Sequence, residues 1–290
     1  MGIISYLKRG CQYVYKGVPQ INVTANVVSL APNDFLKGRT AIVTGGTSGI
    51  GRAITTAFLR AGADVVITGR ELERTEIIAR QIEKEVGRGR VFAVEMNNAD
   101  VKSFSPKLDR ILQMVENRTI SILVNNAGIG GGVGTHFIDC IDEEYSKVLD
   151  TNLKGAFFLS SLFAKYMIEN KIPGNILNIA SSSSMRPATT AYTLSKWGLK
   201  GMTIGLAKKL IKENIVVNGL APGPTATPML MKGDAKNIYN AKNPSQRYAL
   251  PEEIANMAVV LVSDMGRMIV GDIVYMTGGA ATVTVDDIEY

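Results

Sequence analysis

A tyrosine and a lysine lie four residues apart in the C-terminal half of the chain. Tyr192 and Lys196 belong to the segment TTAYTLSKWGL, whose small and apolar residues suit a helix. Residues at this spacing share one helix face, about 6 Å apart along the axis. A free tyrosine has a pKa of about 10, and a nearby cation would lower it. The pair could transfer a proton, or both residues could be ordinary surface side chains.

A glycine-rich turn, VTGGTSGIGRAI, suggests a second kind of chemistry. Gly45, Gly49 and Gly51 have the spacing G-x-x-x-G-x-G between an apolar run and a helical pattern. Glycines let the backbone approach a pyrophosphate closely, and the helix N-terminus offers free N–H groups to it. A turn without a ligand is the alternative, but the position at the first strand–helix junction favours a dinucleotide. The turn residues predicted to bind it are Gly45, Thr47, Ser48, Gly49, Ile50 and Gly51.

The residue after the second predicted strand indicates which dinucleotide binds. NAD-binding proteins usually place a carboxylate there to hold the ribose hydroxyls, whereas this chain has Gly69 followed by Arg70. No carboxylate would repel a 2′-phosphate, and a guanidinium can bind one in forked geometry. We therefore predict NADP in preference to NAD. The alternative is a solvated Arg70 that pairs with Glu71 or Glu73.

The order of apolar and amphipathic segments predicts the fold that positions these residues. From Lys37 onward, short apolar runs alternate with longer helical patterns and short loops. Such alternation predicts an α/β fold, a parallel sheet with helices on both faces. The predicted strands cover residues 40–45, 64–69, 91–96, 121–128, 174–181, 214–223 and 271–279. The predicted helices run from the glycine turn to residue 62 and over 71–86, 142–171, 190–212 and 251–264, with one more after a possible cap at Asp100.

Chain length and apolar patterning indicate one domain without a membrane span. The 290 residues, 46% hydrophobic, could form one large domain or two small ones. We see no repeat or low-complexity linker, so we predict an N-terminal extension over 1–35 and a single domain over 36–290. No apolar run approaches the ~20 residues of a spanning helix, and the first residues do not match a signal peptide. We expect a cytoplasmic protein whose extension packs on a neighbouring subunit, is disordered, or lies as a basic amphipathic segment on a membrane.

Composition also excludes several classes of site. Cys11 and Cys140 are far apart and His136 is the only histidine, so we predict no disulfide framework and no metal site. A Ser-His-Asp triad is disfavoured because no G-x-S-x-G motif accompanies His136. The net charge is +6 without a dense Lys/Arg cluster. We expect no nucleic-acid partner, and a phosphorylated cofactor would suit the basic balance.

Six motifs occur in one order along the chain: TGGTSGIG, NNAG, LDTNLKGAF, a serine run after NILNIA, YTLSK and NGLAPG. With these motifs, residues 36–280 resemble the short-chain dehydrogenase/reductase family. The resemblance implies a three-layer doubly wound Rossmann fold with seven strands. It also implies an NAD(P)-dependent oxidoreductase that reduces a small-molecule carbonyl or oxidises the matching secondary alcohol. The family's usual assembly implies a homodimer or homotetramer formed through the helices over 142–171 and 190–212.

The resemblance also assigns roles to individual residues. Tyr192 would be the general acid and base, and Lys196 would tune it and bind the cofactor, which Tyr192 also contacts. Ser181 would bind the substrate oxygen, and Asn152 would hold a water that returns the proton. Besides the turn and Arg70, the cofactor contacts would be Asn97, Asn125, Ala127, Gly128, Pro222, Gly223, Thr225 and Thr227.

Two features of the site stay open at this stage. Ser181 precedes Tyr192 by 11 residues, fewer than is usual in the family, so another serine of the run up to Ser184 could take its role. The segment between Thr227 and Arg247 is short, as in 3-oxoacyl-carrier-protein reductases. Its residues Met229, Leu230 and Met231 could form an apolar wall or pack a short helix. A catalytically silent dinucleotide-binding sensor or scaffold is the alternative function, which the presence of all four catalytic residues opposes.

Overall fold

The computed structural model describes Thr24 and residues 33–116, 118–131, 133–231 and 237–283. The predictions for the extension, including its amphipathic segment and Cys11, lie almost entirely outside these residues. In the range that starts at residue 33, the amide of Asn33 donates to the carbonyl of Arg60. Leu36 is fully buried in the core. Asn33 and Leu36 are therefore attached to the body of the domain.

Seven parallel strands form one sheet in the order β3-β2-β1-β4-β5-β6-β7. They are β1 Thr40–Val43, β2 Asp64–Gly69, β3 Val91–Glu95, β4 Ile120–Asn125, β5 Gly174–Ile179, β6 Ile215–Pro222 and β7 Ile273–Met276. Strands β1, β4, β5 and β6 are buried throughout, as expected for a sheet covered on both faces. The strand order reverses between β1 and β4. In such sheets ligands bind at this switch point, outside the carboxyl ends of the strands.

Seven helices among the described residues cover the two faces of the sheet. They are α1 Gly49–Arg60, α2 Leu72–Val86, α3 Phe104–Met114, α4 Asp142–Leu149, α5 Gly155–Glu169, α6 Ala191–Leu210 and α7 Pro251–Val262. One core cluster joins α1, α2 and α7 to the sheet, and a second joins α3, α5 and α6 to its other face. This arrangement confirms the predicted doubly wound α/β fold. None of the helices in the described ranges is long and apolar enough to cross a membrane.

The helix predicted over residues 142–171 contains one turn of a different geometry. Asp150–Lys154 is a π-helical turn between α4 and α5. The amide of Gly155 bonds the carbonyl of Asp150, which leaves the carbonyl of Thr151 without its usual helical partner. The side-chain amide of Asn98 donates to that carbonyl at 3.0 Å. A Cβ on Gly155 would lie 2.1 Å from the backbone oxygen of Asn98, so only glycine permits this approach.

The prediction that Asp100 caps the next helix needs a correction. Asp100 precedes the short 3-10 turn Val101–Ser103, and its side chain makes no capping hydrogen bond. Helix α3 begins only at Phe104, so the 3-10 turn separates Asp100 from the helix that it was expected to cap.

Candidate active site

The glycine turn between β1 and α1 leaves a concave backbone surface at the switch point. Gly45 and Gly49 have φ values of +64° and +52°, which side-chain-bearing residues rarely adopt. A Cβ on Gly51 would lie 2.3 Å from the carbonyl oxygen of Gly45. The turn therefore requires glycine for its backbone conformation and for its close packing. It opens onto the first N–H groups of α1, as binding of a pyrophosphate requires.

Residues after β4 hold this turn in place. The side-chain amide of Asn126 donates to the carbonyls of Thr44 at 2.8 Å and Gly45 at 3.1 Å. In return, the Thr44 hydroxyl accepts from the amides of Asn126 and Ala127, both at 3.0 Å. The two loops on either side of the switch point are thus one hydrogen-bonded unit. Asn126 and Thr44 were not predicted, although their neighbours in the NNAG and VTGG motifs were.

Two polar side chains beside the turn are suited to a phosphorylated dinucleotide. Ser48 occupies the N-cap of α1, is exposed and makes no capping hydrogen bond. Arg70 is exposed after β2 and forms no ion pair with the residues that the structure describes, so the alternative pairing with Glu71 or Glu73 is wrong. A Cβ on Gly69 would lie 2.3 Å from the Thr75 hydroxyl. A residue larger than glycine would therefore clash at this position. The cradle, the free N-cap hydroxyl and the cation fit a nicotinamide dinucleotide phosphate.

Tyr192 and Lys196 lie one turn apart near the start of α6. The ammonium of Lys196 is 5.6 Å from the centroid of the Tyr192 ring. Its Nζ donates to the carbonyl oxygen of Ile179, the last residue of β5, at 2.8 Å. Lys196 is 5% exposed, and it forms no ion pair with a carboxylate of the described residues. Burial lowers the pKa of Lys196 to about 8 because it disfavours the charged form.

The prediction that Lys196 lowers the pKa of Tyr192 is wrong. Burial raises the pKa of Tyr192, opposed by its side-chain hydrogen bond with Ser181 and by the charge of Arg186. The charges and hydrogen bonds that lower the pKa of Tyr192 do not include one from Lys196. The tyrosine therefore keeps its proton at neutral pH, which suits a proton donor.

Ser181 is the serine of the run that meets the tyrosine. Its side chain lies close enough to that of Tyr192 to lower the pKa of the tyrosine. It also accepts from the amide of Ser183 at 3.1 Å, at the start of the 3-10 turn Ser182–Met185. Ser182 and Ser184 are buried, and the Ser184 hydroxyl donates to the carbonyl of Ser181. Within the serine run, the geometry therefore favours Ser181 as the residue that faces a reacting group.

Asn152 lies in the π-helical turn and is 1% exposed. Its side-chain oxygen accepts from the amide of Ile129 at 2.8 Å, and its Nδ2 donates to the carbonyl of Ile129 at 2.9 Å. Nδ2 also lies 3.1 Å from the Ser195 hydroxyl, next to Lys196 on α6. The side chain thus joins the loop after β4 to the helix of Tyr192. A water held by Asn152 remains a prediction.

The structure separates the other predicted cofactor residues into two groups. The Asn125 side chain faces the interior, where its Nδ2 donates to Ser160 and Asn178, both at 2.8 Å. Its contact with the cofactor stays a prediction. The Thr225 hydroxyl is buried and donates to the carbonyl of Gly223. The other predicted residues lie at or after the carboxyl ends of β3, β4 and β6: Asn97, Ala127, Gly128, Pro222, Gly223 and Thr227. Of these, Thr227 lies 3.3 Å from a Cβ built on Gly49 and so borders the glycine turn.

No cluster of three or more histidine, cysteine, aspartate or glutamate side chains that could bind a metal occurs in the ranges described. His136 forms an isolated bridge with Thr190, and Cys140 is exposed.

Comparison with known proteins agrees with this site. Residues 39–238 match the protein-family model described as short chain dehydrogenase. The chain is 35% identical over 248 residues to the 3-oxoacyl-[acyl-carrier-protein] reductase of Aquifex aeolicus. The aligned region covers 84% of this chain and 98% of the relative. It is 34% identical over 251 residues to a 3alpha-hydroxysteroid dehydrogenase of Mediterraneibacter gnavus, covering 85% and 98%.

Solved structures show the same architecture. A 3-ketoacyl-(acyl-carrier-protein) reductase from Brucella melitensis complexed with NADH superposes with a TM-score of 0.75 at 27% identity, covering 85% of this chain and 99% of that chain. A short chain dehydrogenase from Burkholderia cenocepacia J2315 in complex with NADP gives a TM-score of 0.73 at 30% identity, covering 84% and 98%. Both neighbours were thus solved with a nicotinamide dinucleotide.

Proposed function

The chain belongs to the short chain dehydrogenase family, and on that premise we propose that it reduces a carbonyl group to a secondary alcohol with NADPH, with Tyr192 as the general acid. The predicted class, an NAD(P)-dependent oxidoreductase acting on CH–OH or carbonyl groups, is confirmed by the family and the relatives. The observation that carries the proposal is the placement of Ser181 next to Tyr192, with the buried ammonium of Lys196 5.6 Å from the tyrosine ring.

The proposed roles follow from the hydrogen-bonding capacity of each side chain. Ser181 already accepts from Ser183, so its own proton is available for a substrate oxygen on which negative charge develops. Tyr192 transfers its phenolic proton to that oxygen. A bound nicotinamide dinucleotide would supply the hydride to the carbonyl carbon. Lys196 has three donors and uses one on Ile179, which leaves two for a cofactor hydroxyl and for a water that returns the proton.

The preference for NADPH depends on Arg70. This guanidinium is exposed beside the glycine turn, and a glycine precedes it where an acidic residue would favour NAD. Forked hydrogen bonds to a 2′-phosphate are the contact that a guanidinium makes best. We expect a lower KM for NADPH than for NADH. An equal or lower KM for NADH would contradict this role of Arg70.

The proposed substrate class is the 3-oxoacyl thioester. One relative at 35% identity is named as a reductase of such substrates. Met229 and Leu230 expose apolar side chains two and three residues after Thr227, which borders the glycine turn. These side chains offer apolar surface to an acyl chain near the proposed cofactor site, and the net charge of +6 suits an acidic carrier.

The proposed assembly is a homodimer or homotetramer in the cytoplasm. An apolar groove runs between α5 and α6, lined in part by Phe157, Ala164, Ile168 and Leu206. Phe157 is 49% exposed, and Ile204 on α6 is 51% exposed. Exposed apolar residues on two adjacent helices are typical of an interface between subunits. Light scattering of the wild type and of Phe157→Lys would test this assembly, and fluorescence microscopy of a tagged chain would test the location.

A substrate screen followed by absorbance of the reduced cofactor tests the catalytic proposal. The panel contains acetoacetyl-CoA, a 3-oxosteroid, a sugar and a small ketone, each with NADPH and with NADH. We expect the thioester to give the highest kcat/KM with NADPH. A steroid that exceeds the thioester would contradict the substrate class but would leave the reaction class intact.

Tyr192→Phe separates the proposed mechanism from simple cofactor binding. The variant lacks only the hydroxyl, so we expect kcat to fall by a factor of about 10² or more while NADPH still binds. Tyr166→Phe is the matched control, because this tyrosine on α5 also has a hydrogen-bonded hydroxyl, at the backbone of Ile120. Full activity in Tyr192→Phe would refute the catalytic role of the tyrosine. Cofactor binding by the wild type without turnover of any substrate in the panel would favour the silent sensor.

A further inference from the structure

The turn that carries Ser181 is tied to the last strand of the sheet. Ser184 is fully buried, and its hydroxyl donates to the carbonyl oxygen of Ser181 at 2.7 Å. The same hydroxyl lies 3.2 Å from the hydroxyl of Tyr275 on β7. A serine hydroxyl has one hydrogen, and Ser184 uses it on Ser181. Tyr275 is therefore the donor in its hydrogen bond with Ser184.

The other end of this turn is tied to the helix of Tyr192. The indole nitrogen of Trp197 donates to the carbonyl of Arg186 at 2.8 Å. The ammonium of Lys200 lies 5.0 Å from the Trp197 ring and 5.8 Å from the Tyr275 ring. Cation–π contacts of this kind hold both rings against one side chain. Lys200 therefore contacts both aromatic residues that bond the turn from Ser181 to Arg186. Tyr275 bonds this turn at Ser184, and Trp197 bonds it at Arg186.

We propose that Tyr275 is a positioning residue, which fixes Ser181 against Tyr192 through the hydroxyl of Ser184. This inference rests on the proposed roles of Ser181 and Tyr192. Ser181 and Tyr192 are separated by only 11 residues, and part of that interval is a single 3-10 turn. Such turns have poorer hydrogen-bond geometry than an α-helix. The hydroxyl chain from Tyr275 adds a link from the central sheet to the serine that contacts the tyrosine.

Tyr275→Phe tests the hydroxyl alone, because the ring remains for Lys200. A neutral hydrogen bond is worth about 0.5–1.5 kcal/mol, so we expect kcat for carbonyl reduction to fall about 3- to 10-fold. The KM for NADPH should stay unchanged, because Tyr275 contacts none of the residues of the glycine turn in the described structure. A loss confined to kcat would indicate misplacement of Ser181 and Tyr192.

The pH dependence of alcohol oxidation provides a second test. Its midpoint pH would not change if the variant only lost stability. The neighbouring Ser181 lowers the pKa of Tyr192, and oxidation needs the deprotonated tyrosine. When Ser181 is less well held, the midpoint of the profile should move to higher pH. Ser184→Ala should give the same shift as Tyr275→Phe, and the double variant should be no slower than the slower single variant, because both act in one chain.

Tyr166→Phe again serves as control, because it loses a hydrogen-bonded hydroxyl on the far helix α5. An unchanged kcat and an unchanged pH midpoint in Tyr275→Phe would overturn the inference, as would additive losses in the double variant. Ser181→Ala and Tyr192→Phe are assayed in parallel. If they lose activity and Tyr275→Phe does not, the positioning role alone fails. If they retain full activity, the proposed function fails as well.

Discussion

Substitution of Lys196 by methionine should make the ligand-free protein more stable while it abolishes turnover. Lys196 is 5% exposed, and its ammonium has one hydrogen bond to a backbone carbonyl, that of Ile179. A buried ammonium without a carboxylate partner destabilises the folded state at any pH at which it is charged. Methionine has a similar length and no charge, so it removes this cost with little change in packing.

The size of the effect follows from the pKa of Lys196. Burial lowers that pKa from 10.5 to about 8, which corresponds to about 3 kcal/mol of lost stability at pH 7. Loss of the hydrogen bond to Ile179 costs about 1 kcal/mol. The net gain is then about 2 kcal/mol. For a domain of this size it should raise the melting temperature by roughly 4–8 °C.

The pH dependence of this gain distinguishes a buried charge from a simple packing effect. Below pH 8 the lysine is protonated in both the folded and the unfolded chain, so the full cost is present. Between pH 8 and pH 10.5 the folded wild type loses this proton while the unfolded chain keeps it, and wild-type stability rises with pH. The advantage of Lys196→Met should therefore shrink across this window and be small above it.

Thermal unfolding of the ligand-free proteins, followed by circular dichroism at pH 7 and pH 10.5, measures this difference. Lys208→Met is the matched control, because Lys208 is exposed near the end of the same helix α6. The control should show no comparable gain at pH 7. A Lys196→Met protein that melts below the wild type at pH 7, or that keeps the same advantage at pH 10.5, would refute the reasoning.

Three further predictions concern the cofactor site. Gly51→Ala places a methyl group 2.3 Å from the Gly45 oxygen, so NADPH affinity measured by calorimetry should fall about 10- to 100-fold without loss of the fold. Arg70→Asp should raise the KM for NADPH by about 10- to 100-fold and not that for NADH, as the loss of charged hydrogen bonds predicts; equal changes for both cofactors would contradict it. Asn126→Ala should weaken NADPH binding, whereas Asn125→Ala should lower the melting temperature and leave the KM for NADPH unchanged.

The fold could be predicted because each element has a local signal. Buried parallel strands are continuous apolar runs, and five of the seven end within two residues of the predicted boundary. The glycine turn was predictable for the same reason, because its conformation requires glycine whatever surrounds it. The π-helical turn had no such signal. It depends on Asn98, which lies more than 50 residues away in the chain. The side-chain amide of Asn98 donates a hydrogen bond to the carbonyl of Thr151.

The roles of neighbouring polar residues could not be predicted from their positions in a motif. Asn125 and Asn126 are adjacent in NNAG, yet one side chain faces the interior and the other faces the glycine turn, because β4 ends at Asn125 and Asn126 begins the following loop. The spacing of Tyr192 and Lys196 correctly predicted that both lie on one helix, one turn apart. It contained no information on how deeply the two side chains are buried. Burial reverses the expected direction of the tyrosine pKa in the ligand-free protein.

These two results together indicate how the site is prepared for reduction. Burial raises the pKa of Tyr192, so the tyrosine keeps the proton that it would donate. Burial lowers the pKa of Lys196, so its charged form is destabilised. A cofactor hydroxyl that accepts from Lys196 would stabilise the ammonium by hydrogen bonding. Cofactor binding should therefore raise the pKa of Lys196, and the enzyme should take up protons when it binds NADPH near pH 8. Calorimetry in two buffers of different ionisation enthalpy would measure this uptake, and Lys196→Met should abolish it.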